Sequence, residues 1–297
     1  MVCRSMKDQS VRIFSAVDGS RPEPRPQRDT RMRSRIGRRG NPHWISMTTI
    51  EELLHRRNDL STFVVHFTRD SPSSTAYDNL LSILRVRSLE ARSIYGMAKD
   101  LVSRFPDLAA TQRAVCFTET PLEHAWMMCS DIEHRSMQFN GYGIAFTKTF
   151  ARRNGTNPVW YLDITPGHDW LTVPITKLVQ EAEAAAIRDV GLAGDPSSLA
   201  TAPILRLTPF IEQMGPTSTG RKEFWWEREW RHIGDLNFRP KDIVVVFAPE
   251  NTHDALSTAL SSEGYKMRML NLIDASWGLE RMIGTLAGID ELGPFPV

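Results

Sequence analysis

The sequence predicts a single α+β domain with a mixed, mostly antiparallel sheet and flanking helices. Strand-like and helix-like segments mix along the chain without the regular strand–helix–strand rhythm of a parallel α/β fold. The composition, with 41% hydrophobic and 24% charged residues, is ordinary for a soluble globular protein. No apolar run approaches the ~18 residues that a membrane span needs.

The first 45 residues differ from the rest, because they hold ten Arg and one Lys against four acids. They contain few apolar side chains to offset the entropy of ordering. We therefore predict a disordered basic head over residues 1–45 and an α+β domain over residues 47–290. Such a head could bind nucleic acid through charge alone. Alternatively, Met47 is the true start, as the Thr-x-x-Glu helix caps beginning at Thr48 and Thr49 suggest.

Each element follows from its local pattern of apolar, β-branched and turn residues. The predicted strands are Phe63–Thr68, Ala114–Thr118, Gly141–Thr147, Val159–Ile164, Trp226–Ile233, Ile243–Ala248 and Tyr265–Leu270. The predicted helices are Thr49–Arg57, Tyr77–Arg85, Tyr95–Phe105, Trp126–Ser130, Glu181–Val190 and Ala275–Leu286. Residues 191–220 are rich in Gly, Pro, Ser and Thr, with an apolar island at Ile204–Ile211.

The segment from Lys222 to His232 holds three of the eight Trp residues among alternating acids and bases. In an extended strand, Glu227, Glu229 and Arg231 would share one face. Two carboxylates so close raise each other's pKa and cost stability unless something binds there. This row predicts either a binding site or a structural ladder of Arg–Glu pairs.

Three other clusters carry polar groups at strand ends. The first is the His-Phe-Thr sequence at 66–68, although a lone strand His is more often a core residue. The second is Cys-Phe-Thr-Glu-Thr-Pro-Leu at 116–122, a strand that ends in a polar turn. The third is Gly-Tyr-Gly at 141–143, where glycine allows close backbone approach to a ligand or another strand.

The three cysteines include no CxxC pair, which argues against a disulfide framework or a zinc ribbon. Cys116, His124, Cys129 and His134 match no established ligand spacing, so we expect no metal. Cysteine usage of this kind fits a reducing cytoplasm.

In this order, the segments resemble the AbiGi-type antitoxin family of abortive infection and its bacterial relatives. The resemblance covers residues 62–250 and rests on HFT…NL..IL, CFTETPL, YGIAFTK, NGTNPVWYLD and WEREWR. It implies a cytoplasmic phage-defence component of a toxin–antitoxin pair, with a cognate toxin or defence protein as partner.

The layout is also more distantly similar to the ADP-ribosyltransferase fold, which implies NAD as substrate and transferase activity. NAD cleavage passes through an oxocarbenium-like sugar that a nearby carboxylate stabilises. By this resemblance Glu229 would be the catalytic carboxylate, and Glu227 would orient the acceptor as the other catalytic acid. The Ser-Thr-Ser strand motif of the arginine-modifying class is not identifiable.

The same resemblance assigns the residues that would bind NAD. His66 would hold the adenosine-side ribose, and Tyr142 would stack on the nicotinamide. Thr68 and Arg231 complete the predicted cofactor-binding set.

Three functions remain open at this point. The first is a phage-defence component with an ADP-ribosyltransferase-like site for NAD or a related nucleotide. The second is a non-catalytic antitoxin or regulator that binds a partner toxin protein. The third is an RNA- or DNA-directed transferase that uses the basic head. The mildly acidic body favours a protein partner or a small ligand over direct duplex binding.

Overall fold

A computed structural model describes residue 57, residues 59–132, residue 135, and residues 137–190, 196–218 and 220–289. The predicted basic head lies outside these residues, as does the predicted helix Thr49–Arg57 except for its last residue. No helix in the described ranges is long and apolar enough to cross a membrane.

The elements of the described residues are numbered in chain order. The strands are β1 Phe63–Phe67, β2 Ser88–Leu89, β3 Ser93–Ile94, β4 Arg113–Thr118, β5 Gly143–Thr147, β6 Asn157–Pro158, β7 Trp160–Asp163, β8 Ile211–Thr217, β9 Gly220–Lys222, β10 Glu229–Ile233, β11 Leu236–Asn237, β12 Ile243–Phe247 and β13 Asn271–Ile273. The helices are α1 Ala76–Val86, α2 Lys99–Arg104, α3 Ala109–Gln112, α4 Ala125–Cys129, α5 Lys148–Arg153, α6 Thr172–Val190, α7 Pro196–Thr201, α8 Pro203–Leu207, α9 His253–Ser262 and α10 Leu279–Leu286.

Within the described ranges, eight strands form the main sheet, in the order β13-β12-β5-β1-β4-β10-β6 with β3 also paired to β4. Its pairs are antiparallel except for β12 and β13, which run parallel. A smaller sheet joins β7, β8 and β9. The predicted α+β class, with a mixed, mostly antiparallel sheet and helices in a single domain, is confirmed.

The main sheet has an apolar cluster on each face, because its strands alternate apolar side chains between the two sides. Leu80 and Leu84 of α1 pack on one face, in the same cluster as Leu256 of α9. Met128 of α4 and Met282 of α10 belong to the cluster on the other face. Fully burying one such side chain contributes about 1.5–3 kcal/mol, so both faces hold the sheet in place.

The ladder along one edge of β4 is interrupted. Val65 of β1 pairs with Thr118 at one end of β4, and Ser93 of β3 pairs with Ala114 near the other end. Between these pairs, no described strand bridges residues 115–117 on this edge. The opening of the candidate site lies at this interruption.

The predicted strand Trp226–Ile233 is wrong in its first half. Trp225–Glu227 forms a 3-10 turn, and Arg228 has left-handed backbone angles (φ 49°, ψ 54°). A residue in this conformation cannot continue a strand, so β10 begins only at Glu229. Glu227 therefore reaches the site from a turn and not from the strand face.

The predicted strand Tyr265–Leu270 is also wrong, since Met267–Met269 forms a 3-10 turn and β13 follows it. The Tyr265 hydroxyl donates a hydrogen bond to the Leu84 carbonyl (2.6 Å), which fixes this residue against α1. Residues 196–217, predicted as a Gly/Pro/Ser/Thr-rich segment with an apolar island, form α7, α8 and β8. Leu199 and Leu205 are fully buried against α2 and α6, so tertiary packing orders this segment.

At two positions only glycine fits, because a backbone carbonyl oxygen lies where a Cβ would be. Gly96 has φ 82°, and a Cβ there would lie 2.1 Å from the Thr208 carbonyl oxygen, so the helix predicted from Tyr95 begins only at Lys99. A Cβ on Gly143 would lie 2.7 Å from the His66 carbonyl oxygen. The Gly-Tyr-Gly cluster thus serves the approach of β5 to β1, the second of its two predicted uses.

Candidate functional site

A cleft of about 1470 Å³ opens at the interruption in the β4 ladder. Its walls come from the ends of β1 and β3, from the open edge of β4, and from β8 to β10. Five of the six predicted site residues line it, namely His66, Thr68, Glu227, Glu229 and Arg231.

Tyr142 is not among the residues that line the cleft. Its ring packs edge-on against Tyr77, with centroids 5.7 Å apart, beside the cluster that contains α1. Its carbonyl accepts a hydrogen bond from the backbone N–H of Thr68 (2.8 Å). The structure therefore brings His66, Thr68 and the acidic row together and leaves the predicted stacking ring outside.

Glu229 and Arg231 form a two-point ion pair on the face of β10 that lines the cleft. Arg231 Nε donates to Glu229 Oε1 (2.9 Å), and Nη2 donates to Oε2 (2.8 Å). Arg231 is 1% exposed. A buried charge is tolerated only when it is paired and hydrogen-bonded, and this pair satisfies both oxygens of the carboxylate.

Arg231 also links the main sheet to the smaller one. Nη2 donates to Glu212 of β8 (2.7 Å), and Nη1 donates to the Pro209 carbonyl (2.7 Å). Lys222 of β9 donates to the other oxygen of Glu212 (2.6 Å). Burial alone would raise the pKa of Glu212, but the charges of Arg231 and Lys222 outweigh it and lower that pKa.

Glu227 lies in a different electrostatic environment from Glu229. The pKa of Glu227 is raised to about 7, chiefly by burial and also by the charge of Glu229, while the charge of Arg135 opposes both. Arg135 Nε lies 3.4 Å from Glu227 Oε1. The raised pKa expected for one member of the acidic pair therefore falls on Glu227.

The His66 side chain contacts β4 where the ladder is interrupted. Its Nδ1 lies 2.8 Å from the Cys116 carbonyl oxygen, and burial lowers the pKa of the imidazole. A carbonyl only accepts hydrogen bonds, so a neutral His66 carries its proton on Nδ1 and leaves Nε2 as an acceptor. This is the tautomer that could accept a hydrogen bond from a ligand hydroxyl.

The family model described as "Putative abortive phage resistance protein AbiGi, antitoxin" matches residues 82–268. The chain belongs to the AbiGi family. No curated protein and no solved structure matches it. The predicted family is thus confirmed, while the likeness to ADP-ribosyltransferases stays a prediction.

The AbiGi match contains the acidic row, Arg135, Arg231 and Tyr142, but it begins after His66 and Thr68. The matched range therefore includes every predicted site residue except the two of the His-Phe-Thr segment.

Sequence reasoning missed the role of Glu119 in this AbiGi chain. Its buried carboxylate accepts hydrogen bonds from Arg228 (2.8 Å) and from the indole of Trp230 (2.6 Å), and it pairs with Lys148 (2.6 Å). The polar turn that contains Glu119 is visible in the sequence, but the partners of Glu119 lie far away along the chain. These contacts fix the start of β10 and so position Glu229.

Arg135 and Tyr161 were missed as well. Arg135 follows α4 in a segment without a motif, and the Tyr161 hydroxyl lies 3.4 Å from Glu229 across the cleft. No motif marks Arg135, and the NGTNPVWYLD motif that contains Tyr161 does not indicate that its hydroxyl reaches Glu229. In the described part of the chain, no group of three His, Cys, Asp or Glu side chains could hold a metal ion.

Proposed function

We propose that this AbiGi-family chain is a cytoplasmic phage-defence antitoxin that neutralises a cognate toxin protein by binding it. The observation that carries this proposal is the closure of the Glu229 carboxylate by Arg231, at 2.8 and 2.9 Å. A catalytic carboxylate must meet the reacting sugar, whereas both oxygens of Glu229 already accept hydrogen bonds. This geometry favours binding over NAD cleavage, and the family description as an antitoxin supports the same choice.

Helix α10 offers an apolar face to such a partner. Leu279, Ile283 and Leu286 recur at intervals of four and three residues, so they share one face, and all three are exposed. Met282 is buried in the sheet cluster and anchors the helix. This spacing is the pattern by which a helix docks into an apolar groove of another protein. We assign the toxin to this face.

The test is co-expression with each protein that the neighbouring genes encode, in search of a toxin among them. We expect one of these proteins to arrest growth when expressed alone and the wild-type chain to restore growth. Ile283→Glu should lose the rescue, because it places a charge in the apolar face. Leu178→Glu, on exposed apolar surface of α6, is the matched control and should keep it. Rescue by neither the wild type nor the control would contradict the proposal.

The second candidate function is binding of NAD or a related nucleotide in the cleft. It is favoured by the convergence of His66, Thr68 and Glu229 on one opening. Calorimetric titration with NAD tests it, together with NAD turnover by the wild type and by Glu229→Gln. Binding without turnover would support a ligand role. Turnover that the substitution abolishes would overturn the binding-only proposal, and no binding at millimolar NAD would remove the second candidate.

A further inference from the structure

Arg135 has a guanidinium edge without a full set of partners. Its side chain is 6% exposed and lines the cleft. Nη1 donates to the Met128 carbonyl (2.8 Å), and the guanidinium lies over the Phe139 ring at 4.6 Å. Nη2 is buried, and no acceptor in the structure bonds to it. Leaving a buried donor without an acceptor is unfavourable, and more so when the donor is charged.

The Nε and Nη2 groups of Arg231 have the hydrogen-bonded carboxylate partners that those of Arg135 lack. In Arg231, Nε and Nη2 hold both oxygens of Glu229, at 2.9 and 2.8 Å. In Arg135, Nε is 3.4 Å from Glu227, beyond the usual 2.7–3.2 Å range of such bonds, and Nη2 has no partner. The Arg135 fork is therefore open to an oxyanion that can accept two parallel hydrogen bonds.

A second arginine lies at the same end of the cleft. Arg69 also lines the cleft, and its Nη1 contacts the sulfur of Met137, two residues beyond Arg135. No carboxylate of the described ranges forms an ion pair with Arg69. Its backbone carbonyl accepts a hydrogen bond from Asn79 of α1 (2.8 Å), which holds the segment in place.

Charge balance distinguishes this end of the cleft from its centre. In the centre, Arg231 and Lys222 face Glu229 and Glu212 in a closed network of equal and opposite charges. At the other end, Arg135 faces Glu227, whose raised pKa of about 7 keeps much of it neutral near pH 7, and Arg69 has no carboxylate partner among the described residues. The Arg69–Arg135 end therefore has an excess of positive charge.

We propose that Arg69 and Arg135 form a binding site for the phosphate of a small phosphorylated ligand. A phosphate presents several acceptor oxygens and up to two negative charges, which match two guanidinium groups better than one carboxylate does. The site is independent of the toxin-binding face on α10, and it does not require that the ligand be NAD. It can therefore hold when either function proposed above fails.

Calorimetric titration of the full chain with pyrophosphate, ADP, adenosine and succinate tests the proposal. We expect pyrophosphate and ADP to bind, and adenosine and succinate to bind at least about tenfold more weakly. Arg69→Ala and Arg135→Gln should each weaken pyrophosphate binding about tenfold or more, because each removes charged hydrogen bonds. Glu227→Gln should strengthen it, because the variant removes the competing negative charge.

Arg92→Ala is the matched control, since Arg92 lines the same cleft but pairs with Glu90 (2.9 Å) and should not change the affinity. Arg69 is exposed, so its variant keeps the test valid even when Arg135→Gln fails to fold. The proposal is overturned by absence of pyrophosphate and ADP binding at millimolar concentration. Equal loss in the Arg69 and Arg92 variants, or equal binding of adenosine and ADP, would also overturn it.

Discussion

Glu227 and Glu229 are two residues apart, yet their surroundings give them opposite roles. Both oxygens of Glu229 are held by Arg231, whereas Glu227 has only a 3.4 Å contact with Arg135 and a pKa raised by burial to about 7. The sequence shows the pair but not which acid receives the guanidinium. The left-handed Arg228 between them separates the two side chains onto different elements.

Glu227 should make the stability of the protein depend on pH. Its pKa is about 7 in the folded protein, above the ordinary 4.5, so its contribution is full below pH 4.5 and is lost as pH rises through 7. Glu227→Gln mimics the neutral form. At pH 8 we expect it to be more stable than the wild type by roughly 3 kcal/mol, because the shift from 4.5 to about 7 converts at about 1.36 kcal/mol per pKa unit.

Urea unfolding at pH 4.5 and pH 8 measures this difference. The control is Glu223→Gln, a more exposed acid that pairs with Arg221 (2.6 Å) and should change stability by less than about 1 kcal/mol at either pH. An equal gain from both variants, or none from Glu227→Gln at pH 8, would contradict the prediction.

Arg231 should be among the most sensitive positions for stability. Arg231→Met leaves Glu229 and Glu212 without their shared partner in a buried setting, and we expect a loss of about 3–5 kcal/mol in the free energy of unfolding. Arg85→Ala, which removes an exposed pair with Glu263, should cost less than about 1 kcal/mol. Chemical denaturation of both variants measures these losses. Similar losses would mean that the Arg231 network does not stabilise the fold more than an exposed ion pair does.

At the scale of single elements, α1 shows how local sequence and packing agree. Thr75 caps the helix, because its hydroxyl accepts from the Asp78 backbone N–H (3.1 Å) and the Asp78 carboxylate accepts from Thr75 in return. Leu80 and Leu84 then place one face in the core. The strong agreement of cap and apolar spacing explains why this helix was predicted within one residue at each end.

Thr75→Ala should lower the free energy of unfolding by about 1 kcal/mol, since it removes the cap. Thr258→Ala in α9 is the control, because that hydroxyl bonds only to the Asp254 carbonyl within its own exposed turn. Its effect should stay within about 0.5 kcal/mol. Thermal unfolding monitored by circular dichroism compares the two variants, and equal midpoints would show that the cap contributes nothing.

Across the whole molecule, elements fixed by local sequence patterns were predicted, and elements fixed by contacts distant in sequence were not. Strands with continuous β-branched runs, such as β12, were predicted closely because local pattern determines them. By contrast, α7 and α8 were not predicted, since their order depends on burial of Leu199 and Leu205 against distant helices. The same reasoning applies to the cleft: its acids were visible in sequence, but the pairing of Arg231 with Glu212 and the open edge of Arg135 arise only in three dimensions.

The boundary between the basic head, residues 1–45, and the α+β domain stays a prediction. We expect a chain that starts at Met47 to keep its thermal midpoint within about 2 °C of the full chain, because residues 1–45 carry few apolar side chains for packing. Differential scanning calorimetry of the two chains is the measurement. A clear fall in the midpoint would mean that the head packs against the body.

The interrupted β4 ladder leaves in the cleft one backbone amide whose hydrogen exchange can report on ligand binding. The Cys116 carbonyl faces the gap, where it meets His66, so the amide of the same residue points the same way. No bridge joins Phe67 to Cys116, although that pair lies two positions further along the register that pairs Val65 with Thr118. The Cys116 amide hydrogen should therefore exchange with solvent deuterium faster than those of Val115 and Phe117, which face β10. A ligand that enters the cleft should slow that one exchange rate before any change in global unfolding is seen.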